Sequence, residues 1–97
     1  MAKGYWICFY RSISNAAALT EYARLAGPAI QSGGGRFLAR GTPAKTYEAG
    51  KDQRTVVIEF DTVAQATATY ESNAYQTAVR ALDGAAERDI RIMEGIL

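Results

Sequence analysis

The chain predicts an α+β fold, a four-stranded antiparallel sheet with both helical segments on one face, in the order βαββαβ. Three observations carry this. Runs of alternating, aromatic or β-branched residues recur four times, at 3–11, 36–41, 54–60 and 89–94. Amphipathic helical patterns fill the first and third gaps, whereas the second is a polar connection containing Pro43 and Gly50. Two strand-helix-strand halves with right-handed crossovers then close into one sheet with the helices on the same side.

Residues 3–11 place Tyr5, Ile7 and Phe9 on one face and Trp6, Cys8 and Tyr10 on the other, so both faces of the first strand are largely apolar. Ser14 is positioned to cap a helix over 15–32, in which Tyr22, Leu25, Ala26, Ala29 and Ile30 recur at i, i+3, i+4, i+7 and i+8. Pro28, preceded by Gly27, removes one backbone donor, but the apolar stripe continues past it, which predicts a kinked continuation rather than a stop. Gly33 to Gly35 end the helix, and 36–41 form the second strand, where alternation puts Arg36 and Arg40 on a common face. Residues 42–52 read as an exposed connection between antiparallel strands.

The run 54–60 is the most regular strand, with Val56, Ile58 and Phe60 opposite Thr55, Val57 and Glu59. Thr62 with Gln65 has the form of a capping box and opens a helix running to about residue 70. Ser72 caps a second helix, with Tyr75, Ala78, Val79 and Leu82 at helical spacing behind it. Gly84 ends that helix, and 89–94, with Ile90 and Ile92 alternating, is the last strand. This is the ferredoxin-like arrangement. Its one helical layer leaves the second sheet face open, and exposed apolar surface costs about 25 cal/mol per Å². A two-fold homodimer that packs two sheets face to face would cover it.

Composition narrows the function. At 97 residues one domain is expected, and 48% hydrophobic with 22% charged residues is ordinary globular composition. A net charge of +1 with interspersed signs gives no footprint for nucleic acid or an anionic membrane. The chain has no histidine, which excludes a His-ligated haem and a Ser-His-Asp triad, and nothing in it implies a metal or cofactor. Cys8, the lone cysteine, reads as a buried structural thiol. The apolar run at 5–10 is too short for a secretory segment, so cytoplasmic residence is the expectation. The glycine run precedes a strand and lacks the Gly-Lys-Ser/Thr ending of a phosphate loop.

Four stretches together are distinctive: Lys3-Gly4-Tyr5-Trp6-Ile7, Gly34-Gly35-Arg36-Phe37-Leu38-Ala39-Arg40-Gly41, Arg54-Thr55-Val56-Val57-Ile58-Glu59-Phe60, and Ser72-Asn73-Ala74-Tyr75-Gln76 with Arg80. In combination they resemble the bacterial domain-of-unknown-function family 1330 over nearly the whole chain. The resemblance implies the dimeric α/β-barrel superfamily, which includes cofactor-free monooxygenases, lactone isomerases, haem-handling proteins and stress-responsive domains, and it implies no defined reaction. One departure is Asp61-Thr62 where many relatives would have Pro-Ser, a change that bears on helix capping.

A cavity between sheet and helices is the common ligand site of that superfamily, so polar residues entering this space are the candidates. Arg36, Arg40 and Arg54 lie on neighbouring strands, and an arginine fork suits a carboxylate; strand-end pairing with acids is the competing reading. Glu59 is flanked by apolar residues, so burial could raise it into the general-base range, or an arginine could hold it in an ion pair. Tyr75, with Ser72 beside it, could aim a phenol into the cavity as a second catalytic candidate, and Tyr22 approaches from the first helix. Trp6 or Tyr5, but not both, lines the same space. Three readings follow: a homodimer that binds a small, partly apolar, anionic metabolite; a cofactor-free isomerase or monooxygenase-like enzyme; and a structural or interaction dimer.

Overall fold

A computed structural model describes residues 2–97. Its elements are β1 (Gly4–Ile13), α1 (Ala16–Ser32), β2 (Arg36–Gly41), β3 (Thr55–Phe60), α2 (Val63–Glu71), α3 (Asn73–Leu82) and β4 (Ala86–Glu94). The sheet order is β2-β3-β1-β4, with every neighbouring pair antiparallel. This is the expected ferredoxin-like topology. The molecule measures 38 × 35 × 16 Å, the thinness of one sheet carrying one helical layer.

Alternation decides which side chains face the helices. Trp6, Cys8 and Tyr10 of β1 and Val56, Ile58 and Phe60 of β3 point inward and are buried with Tyr22, Ala26, Ala29 and Ile30 of α1 and Tyr75, Ala78 and Leu82 of α3. Aromatic rings dominate this core. Trp6 stacks on Phe60 with centroids 6.1 Å apart and meets Tyr75 edge-on at 4.8 Å. Tyr5, Ile7, Phe9, Val57 and Met93 look the other way, and Phe9 and Met93 remain 38% and 55% exposed. The open apolar face expected from two-sided strands is therefore present.

Local chemistry explains the element ends. Asn15, not Ser14, caps α1: its Oδ1 accepts from the amides of Ala17 and Ala18 at 3.0 and 3.2 Å. Ser14 instead donates through both its amide and its hydroxyl to the Ala85 carbonyl. The helix runs through Pro28 to Ser32. At its end Gly34 adopts φ +95°, the left-handed region where a β-carbon is strained. Thr62 caps α2 by accepting from the Gln65 amide at 3.0 Å, while the Gln65 side chain lies against Gly34.

Two elements differ from the sequence reading. β4 starts at Ala86 rather than at residue 89, which adds Arg88 to the sheet opposite Tyr10. β2 carries an irregularity between Phe37 and Ala39, where Arg36 opposes Glu59 and Arg40 opposes Val56. The extra residue at Leu38 shifts the alternation, so Arg36 and Arg40 lie on opposite faces rather than sharing one.

Candidate functional site

The sequence-predicted residues divide between two compartments. On the open face Arg36 donates from Nε to Glu59 Oε1 and from Nη2 to Asp61, each at 3.1 Å, and the Tyr5 hydroxyl donates to Glu59 Oε2 at 3.1 Å. Lys3 approaches Asp61 at 3.8 Å. Asp61, the residue at which the sequence departs from its resemblance, thus belongs to an ion-pair chain. The hydrogen bond from Arg36 holds the Glu59 carboxyl below its usual range, and the Tyr5 hydroxyl acts in the same direction. The geometry supports the ion-pair reading of Glu59, and it removes Glu59 and Arg36 from the space between sheet and helices.

Ser72 also lies outside that space. Its hydroxyl donates to the Thr69 carbonyl at 2.7 Å and accepts from the Tyr75 amide at 3.2 Å, the geometry of a helix cap.

The inner compartment holds Trp6, Tyr22, Arg40 and Arg54, which line one cavity with Cys8, Tyr10, Ala26, Gly27, Ile30, Phe37, Val56 and Ile58. Its free volume is about 30 Å³, room for one or two water molecules. No aspartate or glutamate lines it. Arg40 is solvent-exposed and stacks its guanidinium over Phe37 at 4.7 Å. Arg54 is half-buried; its Nε is enclosed and has no hydrogen-bond partner among the described residues. An enclosed charged donor without an acceptor is costly and calls for an explanation.

Behind the cavity stands a group that the sequence reading missed. Arg88 Nη1 donates to the hydroxyls of Tyr22 at 2.9 Å and Tyr75 at 3.1 Å, and these two hydroxyls are 2.6 Å apart. The Arg88 guanidinium also lies 4.8 Å from the Tyr22 ring centre and 5.9 Å from that of Tyr10. Burial works against its charge, but the phenol oxygens outweigh burial and hold it protonated. Burial pushes the phenols of Tyr22 and Tyr75 above the usual tyrosine value and that of Tyr10 up to about 12. Tyr75 is therefore beside the site rather than in it: fully buried, it touches Tyr22 and Trp6, which line the cavity. The signal available in the sequence was the inward alternation of Arg88 with Ile90 and Ile92, hidden by starting the strand three residues too late.

Among the described residues no group of three or more Cys, Asp or Glu side chains is placed to hold a metal ion, and no helix is long and apolar enough to cross a membrane.

The model of a domain of unknown function, DUF1330, matches residues 3–96. The chain belongs to this family. No curated protein matches the DUF1330 chain in sequence. Among solved structures it is similar to a protein of unknown function from Rhodopseudomonas palustris, with 16% identity, TM-score 0.73, and 99% of this chain and 84% of that one covered. A second is a dimeric ferredoxin-like protein of unknown function from Thermobifida fusca, with 16% identity, TM-score 0.65, and coverage of 96% and 91%. A third is a proposed antibiotic biosynthesis monooxygenase from Nitrosomonas europaea, with 20% identity, TM-score 0.64, and coverage of 97% and 90%. At these identities the likeness shows the fold.

Proposed function

We propose that this DUF1330 protein is a homodimer that binds a small, partly apolar organic anion between its sheet and helices. The observation that carries the reading is the enclosed, unpartnered Nε of Arg54, a residue whose side chain lines a cavity with no carboxylate. Surface arginines ordinarily pair with acids of the same chain, as Arg36 does with Glu59 and Asp61. Arg54 and Arg40 face aromatic and aliphatic side chains instead, so an anionic group from outside supplies the missing acceptor. The apolar body of the ligand lies against Trp6, Ile30 and Val56.

Dimerisation is argued from the open sheet face. Ile7, Phe9, Val57 and Met93 form its apolar part, flanked by the Arg36–Glu59–Asp61 and Arg11–Asp89–Arg91 pairs. A second copy related by a two-fold axis covers this face with the same mixture, and a structural neighbour is described as dimeric. A base-catalysed enzyme is the weaker reading, because Glu59, the carboxylate proposed as base, sits on the face away from the cavity.

The test is a thermal-shift screen of small monocarboxylates against the wild type and Arg54→Gln. The reading expects a saturable rise in Tm with at least one acid, lost in the variant. No shift with any acid, or an equal shift in Arg54→Gln, would overturn it.

A further inference from the structure

Arg88 joins two tyrosines through one nitrogen and leaves the rest of its fork unused. Both protons of Nη1 go to the hydroxyls of Tyr22 and Tyr75, at 2.9 and 3.1 Å. An arginine carries five N–H donors, so three remain on Nε and Nη2. Among the described residues these two nitrogens have no hydrogen-bond partner, and unlike Arg54 Nε neither is enclosed. Cys8 and the Tyr10 hydroxyl lie near the guanidinium but outside hydrogen-bond geometry, and no ion pair among the described residues includes Arg88. Nε–H and one N–H of Nη2 point the same way, forming the side edge of the fork that meets both oxygens of one carboxylate. Two buried phenols anchor Nη1, and the guanidinium lies 4.8 Å from the Tyr22 ring centre, so this edge is held in place before any ligand arrives.

Arg88 lines a hollow at the β4 edge of the sheet, between that strand and the α2–α3 pair, with Tyr70, Val79, Leu82, Ala86 and Ile90. Its free volume is about 390 Å³, against about 30 Å³ for the cavity beside Arg54. Arg88 is the one charged residue in its lining. The hollow is on the helix side of the sheet, so a dimer formed through the open face leaves it accessible. We infer that it is a separate anion site, taking an organic monocarboxylate with a compact apolar body about the size of a benzene ring, its carboxylate on the Nε–Nη2 edge of Arg88. A monoanion fits because a single cation faces it, with no second one to balance a further charge. The apolar body displaces water from Val79, Leu82 and Ile90.

Titration calorimetry on the full chain compares benzoate with benzamide, its neutral counterpart of the same shape. Because Arg88 also holds the core, the variants are placed at Ala86, partly exposed and two residues away on the same face of β4. Ala86→Glu sets a carboxylate of the chain beside Arg88, and Ala86→Gln adds the same volume without the charge. The wild type is expected to bind benzoate about tenfold more tightly than benzamide, and Ala86→Glu to bind it about tenfold more weakly than Ala86→Gln. Arg54→Gln should leave benzoate affinity within about twofold, since the smaller cavity does not hold it. No benzoate binding, equal binding of benzamide, equal loss in the two Ala86 variants, or loss in Arg54→Gln would each overturn the inference. The Arg54 reading is tested by its own, smaller acids and stands or falls apart from these results.

Discussion

Arg88 organises the interior through hydrogen bonds that no carboxylate shares. It holds two tyrosine hydroxyls that also hold each other, so each member satisfies the others in a region with little water. Removing one hydroxyl leaves Arg88 with a lost acceptor, and Tyr75→Phe is expected to lower stability by about 1–3 kcal/mol in urea denaturation. The same residues set an alkaline limit. The folded-state values of Tyr10, Tyr22 and Tyr75 are raised, so the stability they contribute is fully present below the unfolded tyrosine value of 10.0 and is lost as pH rises through the folded values. Tm should therefore fall from about pH 10 upward, through the value of about 12 for Tyr10. Glu59 has the opposite sign. Its folded value is lowered from 4.5, so its contribution is present above that pH and lost below it, and Glu59→Gln should flatten the acid limb of the Tm profile.

At the scale of elements, the periodic segments were legible and their irregularities were not. The α1 stripe, the inward set of β3 and the two consecutive caps at Thr62 and Ser72 follow from spacing and side-chain chemistry, and the structure shows each of them. The bulge at Leu38 leaves no mark in a run whose residues all suit a strand, yet it moves Arg40 to the cavity side and leaves Arg36 on the open face. The early start of β4 was hidden because residues 86–88 show no apolar alternation; the pairing with β1 extends the strand there. For the same reason the sequence disclosed Tyr22 and Tyr75 but not the cation that joins them. Gly27 offers a test within α1. It lines the cavity, and beyond its chain neighbours a β-carbon there meets no atom within 4 Å; the neighbour that matters is Pro28, whose ring disfavours helical backbone at a preceding residue that carries a β-carbon. Gly27→Ala should therefore fail to gain the about 0.5–1 kcal/mol of an ordinary mid-helix replacement, measured by denaturant midpoint, whereas Gly27→Leu should hinder acid binding by filling the cavity.

For the whole molecule, the sheet divides two tasks. One face, with the helices, builds a cavity poor in acids; the other keeps its charges paired and its apolar residues open. Sedimentation equilibrium at micromolar concentration is expected to report a dimer, and Val57→Glu, at the centre of the open face, to shift the mass to that of a monomer of 10.5 kDa. A stable wild-type monomer would count against the assembly without touching the cavity. The cavity itself has a built-in reporter, because Trp6 is the one tryptophan of the chain and lies in its wall. Titrating a small monocarboxylate while following Trp6 fluorescence reads occupancy of the cavity itself. A saturable change at one site per chain, abolished in Arg54→Gln, is expected if the cavity binds anions; an unchanged spectrum at saturating acid, or the same change in the variant, would rule that out.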